Sequence, residues 1–184
     1  ETLASLWDKL ARECGDKDFF IFQDREGNVV TYSYRAFNEL IDQTANMFLS
    51  QGVERGEHVA VQMHTCPEFL MCLFGLAKIG AVLVPMNEQY LQAECEYALD
   101  MCSTRRAVVE PCYVELYDAI HAGGRLDQGI IVARSEGGEE AMGYPLFSEL
   151  VAAEGTELEV PSDLSPDDPC EILFTSGTTS NPKG

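Results

Sequence analysis

The residues that most clearly suggest a chemical role occupy the last eleven positions of the sequence, 174–184. Several hydroxyl side chains, two glycines and one lysine lie there, directly after the apolar run Ile172-Leu173-Phe174. The run predicts a buried strand that delivers a hydroxyl-rich turn to the edge of a sheet. Such a turn offers backbone N–H groups, O–H donors and one ammonium group, which together suit an anionic phosphate chain.

Two other interpretations of this segment compete with a phosphate-binding turn of that kind. The P-loop of nucleotide hydrolases requires glycine where Pro182 stands, and Ser or Thr where Gly184 follows Lys183. Proline also biases Asn181 away from the helical region, so a helix cannot open there as a P-loop demands. On composition alone, a plain loop is the commoner interpretation of Ser, Thr, Gly, Asn and Pro clusters. The order of the residues is more specific than their composition.

That order resembles the phosphate-binding signature of the adenylate-forming superfamily, which includes acyl-CoA ligases, luciferases and peptide-synthetase adenylation domains. The family pattern is a hydrophobic residue followed by T-S-G-T-T-G-x-P-K-G, and only Ser180 departs from it, where glycine is usual. Serine can donate a hydrogen bond to phosphate but tolerates positive φ less well than glycine. The resemblance implies that the ATP phosphates are bound by Thr175, Ser176, Gly177, Thr178, Thr179, Ser180, Lys183 and Gly184.

Two further segments carry the same resemblance. Residues 31–40 resemble the early T-Y-x-E-L element of the family, and residues 75–87 resemble its L-K-A-G-A-x-x-V-P-[IL]-[DN] element. Within the superfamily, residues 66–69, 74–87 and 171–183 are most similar to bacterial crotonobetaine/carnitine–CoA ligases. We therefore expect residues 1–169 to be the N-terminal α/β portion of an AMP-binding domain, and 170–184 to be a strand with a truncated phosphate-binding loop. The remainder of that domain and a C-terminal domain are expected to be absent from this chain.

The resemblance implies a two-step reaction for the parent protein. A carboxylate attacks the α-phosphorus of Mg·ATP to give an acyl-adenylate and pyrophosphate, and the thiol of CoA then displaces AMP. It implies ATP, Mg²⁺ and CoA as cofactors and a carnitine- or crotonobetaine-type betaine as substrate. The family's catalytic lysine, magnesium element and acyl pocket are not in these residues, so we expect no catalytic residue within the chain and no activity from it alone.

Other functions stay open from the sequence. A fatty-acyl ligase, an aryl ligase and an amino-acid adenylation domain belong to the same superfamily. The sequence does not distinguish them, because the resemblance implies that the residues that contact the acyl group lie downstream of this chain. A non-catalytic binding module is an alternative of a different class. The sequence does not determine the oligomeric state.

The elements that must position the phosphate-binding loop alternate regularly along the chain. An amphipathic helix (2–14) and a hairpin (19–23 with 29–32) come first, and Ser33 is a predicted N-cap for a helix that ends before Gly52. Strand and helix then alternate, which predicts an α/β fold with a largely parallel sheet flanked by helices. The predicted strands are 59–63, 81–84, 107–110 and 129–132, and the predicted helices are 67–80, 92–101, 114–121 and 146–151.

Composition excludes several classes of function. The chain of 184 residues carries 31 acidic and 12 basic side chains, a formal charge of −19, which disfavours nucleic acid as a partner. No segment reaches the ~20 apolar residues of a membrane helix, and no signal peptide opens the sequence, so we expect a cytoplasmic protein. The seven cysteines form no C-x-x-C pair and the three histidines are isolated in sequence, so we predict reduced thiols and no metal ligands.

Overall fold

The computed structural model describes residues 1–135 and 138–175, and six α-helices and six strands lie within these ranges. The helices are α1 (Leu3–Cys14), α2 (Tyr34–Ser50), α3 (Pro67–Ile79), α4 (Gln92–Met101), α5 (Val114–Ala122) and α6 (Phe147–Ala152). The strands are β1 (Asp18–Gln23), β2 (Val29–Ser33), β3 (His58–Gln62), β4 (Val82–Pro85), β5 (Arg106–Val109) and β6 (Ile130–Val132). Short 3₁₀ turns cover Pro111–Tyr113 and Gly138–Ala141.

Four of the strands form a parallel sheet in the order β4-β3-β5-β6, and β1 pairs with β2 in a separate antiparallel hairpin. The central position of β3 is possible because helices carry the chain back after each strand, as parallel pairing requires. The predicted α/β class, the hairpin and the parallel sheet are therefore confirmed.

The sheet separates two apolar cores because alternate strand residues point to opposite faces. Val59 and Val61 of β3 pack with α1, α2, α3 and the hairpin, whereas Ala60 packs with α4 and α5 on the other side. The result is a three-layer α/β/α arrangement. The carboxyl ends of the four parallel strands all lie at one edge of the sheet, so the residues that follow these strands lie close together.

Helix α3 begins and ends where its sequence signals place it. Cys66 is the N-cap, Pro67 occupies the first turn, and Gly80 ends the helix in the left-handed region with φ +74°. A Cβ at Gly80 would also lie 2.8 Å from Leu164 Cδ2, so the Leu164 side chain would have to shift to admit one. The Ser33 cap of α2 is confirmed as well, since its hydroxyl accepts a hydrogen bond from the Ala36 N–H at 3.2 Å.

Lys78, which follows the apolar residues of α3, is buried with 1% of its surface exposed. Its ammonium group donates hydrogen bonds to Asp42 Oδ1 at 2.6 Å, Asp8 Oδ1 at 2.8 Å and Asn38 Oδ1 at 2.9 Å. These partners belong to α1 and α2, so this Lys78 cluster (Lys78, Asp8, Asn38, Asp42) joins three helices.

The segment after α6 lies against the first helical layer as an extended connector. Asn46 Nδ2 on α2 donates to the carbonyls of Gly155 (2.8 Å) and Glu157 (2.9 Å). Arg55 forms ion pairs with Asp163 at 2.6 Å and Asp168 at 3.0 Å. Across residues 1–135 and 138–175, we find no helix with the length and apolarity that crossing a bilayer requires.

Candidate functional site

The segment that leads into the predicted phosphate-binding loop lies against the outer strand of the parallel sheet. Leu83 N donates to the Cys170 carbonyl at 3.0 Å, and Ile172 N donates to the Leu83 carbonyl at 2.9 Å. Glu171 thereby forms a parallel bridge with Leu83 of β4. Because this segment runs in the same direction as β4, it directs the chain toward the carboxyl edge of the sheet, where open α/β sheets bind their ligands.

The prediction that residues 172–174 form a buried strand is wrong. The pairing with β4 is a single bridge, and Leu173 is 62% exposed while Ile172 and Phe174 are half-buried. The physical reason is that successive side chains of an extended segment point to opposite faces of the sheet. Ile172 and Phe174 pack against the core on the α4 and α5 side, whereas Leu173 points to the other face, where it is exposed.

Of the predicted phosphate-binding residues, the structure describes only Thr175, which lies in an isolated bridge and is exposed. The other predicted residues lie outside the described ranges. They are Ser176, Gly177, Thr178, Thr179, Ser180, Lys183 and Gly184.

The carboxyl edge beside this segment contains an open recess of about 620 Å³ between the ends of β3 and β4. Gln62, fully buried at the end of β3, donates from Nε2 to the Asn87 carbonyl at 2.7 Å and so holds the turn that follows β4. Asn87 Oδ1 in turn accepts from the Gln89 N–H at 2.9 Å. The recess is lined by Met63, Thr65, Cys66, Phe69, Leu70, Met86, Asn87, Glu88 and Gln89.

No nucleophilic thiolate is available in this recess. Burial raises the pKa of Cys66 to about 12, so the group is a thiol at neutral pH. Met63 Sδ lies 3.4 Å from the Cys66 sulfur, the Glu68 charge raises the pKa of the thiol further, and Arg134 opposes these effects only in part. The recess can therefore bind and orient a molecule through apolar surface and a few backbone and amide groups.

A second cluster at the same edge was not predicted from the sequence. His64 follows β3, Glu110 follows β5 and Arg134 lies shortly after β6. The nearly buried Glu110 carboxylate contacts both side chains, with Oε2 at 2.5 Å from His64 Nδ1 and Oε1 at 3.0 Å from Arg134 Nε. These residues are far apart in sequence, and the signal that could have found them is their common place just after neighbouring parallel strands.

Carboxylates surround the two basic residues at this edge, Arg134 and Arg25, with Glu88 3.7 Å from His64 Nε2 and Glu68 3.8 Å from the Arg134 guanidinium. Burial, followed by the Glu110 charge, raises the pKa of the Cys112 thiol. Burial also raises the pKa of Tyr113 to about 12. An anionic phosphate chain near this edge would therefore need further positive charge, and the predicted loop that follows residue 174 contains one basic residue, Lys183.

Comparison with known proteins adds independent findings. A family model described as "AMP-binding enzyme" matches residues 7–184. The crotonobetaine/carnitine–CoA ligase of Salmonella paratyphi A is 41% identical over all 184 residues, and that of Salmonella typhimurium is 40% identical over the same length. The chain spans 36% of the length of these relatives.

Solved structures show the same fold. The anthranilate CoA ligase AuaEII, in complex with anthranoyl-AMP, aligns with 99% of this chain and 33% of its own, at a TM-score of 0.86 and 24% identity. The inhibitor-bound N-terminal domain of FACL13 from Mycobacterium tuberculosis aligns with 100% of this chain and 43% of its own, at a TM-score of 0.84 and 23% identity. At these identities the likeness establishes the architecture.

Proposed function

The chain belongs to the AMP-binding enzyme family, and on that premise we propose that it is the N-terminal part of an ATP-dependent acid–CoA ligase. The proposed substrates are betaines of the carnitine and crotonobetaine type. One observation carries the proposal: the 40–41% identity to crotonobetaine/carnitine–CoA ligases extends over the full 184 residues. Because the chain spans 36% of those relatives, the activity is proposed for the protein that contains all of their parts.

The proposed reaction has two steps. The substrate carboxylate attacks the α-phosphorus of ATP, forming an acyl-adenylate as the bond to pyrophosphate breaks. The thiol of CoA then attacks the acyl carbon, releases AMP and forms the thioester, while its proton passes to solvent. Mg²⁺ is proposed as the counter-ion of the ATP phosphates, where it would neutralise charge on the leaving group. No residue described here is assigned to it.

The proposed role of this chain in the first step is electrostatic. Negative charge grows on the pyrophosphate leaving group, and fixed donors aimed at that charge lower the barrier more than they aid ground-state binding. We assign the ammonium group of Lys183 and the hydroxyls of Thr175, Ser176, Thr178, Thr179 and Ser180 to this role, with Gly177 and Gly184 allowing close backbone approach. The parallel course of residues 170–172 beside β4 supports a loop at the carboxyl edge.

The expected location is the cytoplasm. All seven cysteines are free, although several, such as Cys66 and Cys72, are buried side by side in the same core. Free thiols are typical of a reducing compartment. The free thiols therefore support the proposed cytoplasmic location.

The experiment that tests the proposed substrate class is a panel of acids given to the longest natural form of the protein, with CoA-dependent AMP release as the readout. We expect carnitine, crotonobetaine and γ-butyrobetaine to be preferred over a medium-chain fatty acid. The 184-residue chain assayed in parallel should show no thioester above background. Preference for the fatty acid, which lacks the quaternary ammonium group, would replace the betaine assignment with a fatty-acyl ligase, and thioester formation by the 184-residue chain would overturn the proposal that the reaction needs residues beyond these 184.

A further inference from the structure

The carboxyl edge of the sheet brings together three side chains of the kinds that bind transition metals. His64 offers a ring nitrogen, Glu110 a carboxylate oxygen and Cys112 a sulfur, and these donor atoms all lie within 4.8 Å of one another. His64 follows β3 and Glu110 follows β5, and these strands are direct neighbours in the sheet. Cys112 lies in the 3₁₀ turn that begins after Glu110. The fold therefore assembles a donor set that the sequence spacing of 46 residues between His64 and Glu110 conceals.

Contacts around these three residues already orient two of the donors. Arg134 Nε holds Oε1 of Glu110 at 3.0 Å, which leaves Oε2 facing His64 Nδ1 at 2.5 Å. On the far side of the imidazole ring, Nε2 faces the Glu88 carboxylate at 3.7 Å. A metal-binding histidine usually donates its second N–H to a carboxylate, which fixes the tautomer and the ring orientation. Arg134 thus orients the Glu110 donor, and Glu88 is the carboxylate that a small approach would bring within hydrogen-bond distance of His64 Nε2.

We propose that His64 Nδ1, Glu110 Oε2 and Cys112 Sγ bind a divalent transition-metal ion, with Zn²⁺ the best match. A mixed nitrogen, oxygen and sulfur donor set suits Zn²⁺, whereas Mg²⁺ and Ca²⁺ require oxygen ligands throughout. Binding uses the unprotonated Nδ1 of His64 and the thiolate of Cys112, whose thiol proton passes to solvent as the ion binds. The inference concerns an additional site and is independent of the proposed ligase activity.

The geometry needs modest adjustment to hold an ion. Tetrahedral Zn²⁺ with bonds of about 2.0–2.3 Å places its donor atoms roughly 3.5 Å apart. The His64–Glu110 pair must therefore open by about 1 Å and the more distant donors must approach by a similar amount. Cys112 is exposed, so its side chain can rotate without disturbing the core.

Three protein ligands leave the fourth position of the tetrahedron for water or another small ligand. The cluster borders an open recess of about 540 Å³, shared with Phe22, Gln23 and Asp24 of the hairpin region. Solvent therefore reaches the proposed ion.

The competing explanation is that His64 and Glu110 form an ion pair that ties the ends of β3 and β5 together, with Cys112 a bystander. The two explanations differ in the thiol, which only metal binding requires. The test therefore uses Co²⁺, since a cobalt–thiolate bond gives a charge-transfer band in the near ultraviolet and tetrahedral Co²⁺ gives intense visible bands.

The longest natural form of the protein is freed of metal with a chelator and titrated with Co²⁺. We expect both sets of bands to saturate at one equivalent and to disappear when Zn²⁺ is added. Cys112→Ser should abolish the charge-transfer band, whereas the matched control Cys14→Ser, at a half-buried thiol on α1, should leave it unchanged. Glu88→Gln should retain the band with affinity about 10–100-fold weaker, as expected for loss of a partner that orients the ligand.

Absence of saturable Co²⁺ binding in the unsubstituted protein would overturn the proposal. So would a charge-transfer band that persists in Cys112→Ser. Far-ultraviolet circular dichroism checks that each variant is folded, and His64→Gln provides a second variant that must also lose saturable binding. Retention of one-equivalent binding by a folded His64→Gln protein would contradict the assignment of Nδ1 as a ligand.

Discussion

Two charged clusters in this molecule use similar chemical groups in opposite settings. The Lys78 cluster lies between α1, α2 and α3, and its ammonium group is 1% exposed with three oxygen partners. The cluster around Glu110 lies at the carboxyl edge of the sheet, where the His64 side chain is 32% exposed and Cys112 is open to solvent. The first cluster is closed, so its partners are all provided by the fold. The second retains groups that a ligand can reach.

This contrast shows how burial decides the role of a charged group. A buried ion with all of its hydrogen bonds formed fixes the relative positions of the helices that supply its partners. Loss of one partner leaves an unpaired charge in a medium of low dielectric constant. A cluster at the end of a parallel sheet can exchange one partner for a ligand, because solvent replaces what is removed. We therefore expect substitutions in the Lys78 cluster to affect stability and those at the carboxyl edge to affect binding.

The largest expected effect comes from Lys78→Ala. It removes the ammonium group and leaves Asp42 buried beside Asn38 without its ion partner, so we expect the free energy of unfolding to fall by about 3–5 kcal/mol. Urea-induced unfolding followed by circular dichroism measures the change. Lys9→Ala is the matched control, because its pair with Glu1 is about half exposed and such pairs contribute ~0–1 kcal/mol. Equal losses in the two variants would remove the distinction between closed and open clusters.

A smaller effect is expected from Glu110→Gln. The amide can still accept a hydrogen bond but no longer carries the charge that faces His64 and Arg134, so we expect a loss of about 1–2 kcal/mol in the free energy of unfolding. The same urea experiment measures it. Glu88→Gln, at a carboxylate whose side chain is 48% exposed, should change stability by less than about 0.5 kcal/mol. A loss from Glu110→Gln as large as that from Lys78→Ala would mean that the carboxyl edge is also a closed, structural cluster.

The third prediction concerns the sign of a pH dependence. Burial raises the pKa of Asp42 above its usual value of 3.8, and the nearby Lys78 opposes this only in part. A carboxyl whose pKa is raised on folding contributes stability that is fully present below its unfolded pKa and is lost as the pH rises through its folded pKa. When the pH is lowered from about 7 to about 4, the unfolding free energy of the unsubstituted protein should therefore rise relative to that of the Asp42→Asn variant. A shift in the opposite direction would show that the ion pair outweighs burial.

Much of the fold could be predicted from the sequence, because local signals and tertiary packing agree there. Pro67 and Gly80 bound α3 as their backbone preferences demand, and Ser33 caps α2. The segment at 172–174 was predicted wrongly because its apolar residues suggest burial, whereas only Ile172 and Phe174 face a core and Leu173 points to the opposite, uncovered side.

The site was predicted less completely than the fold. The order of residues 175–184 identifies a family, but the contacts of His64 depend on Glu110, which the pairing of β5 with β3 brings close. Lys78 illustrates the same limit. A lysine near the end of an apolar helix is expected in solvent, and only the packing of three helices buries it. Contacts between residues distant in sequence are fixed by topology, and local patterns do not encode them.

The central claim is that this chain supplies the phosphate-binding loop of an adenylate-forming ligase. The most direct test is the exchange of labelled pyrophosphate into ATP by the longest natural form of the protein, since this exchange reports the first half-reaction without CoA. We predict exchange that depends on crotonobetaine or carnitine and falls roughly 100–1,000-fold in Lys183→Ala but not in Lys9→Ala. Exchange that is absent with every carboxylate, or that is unchanged in Lys183→Ala, would contradict the account.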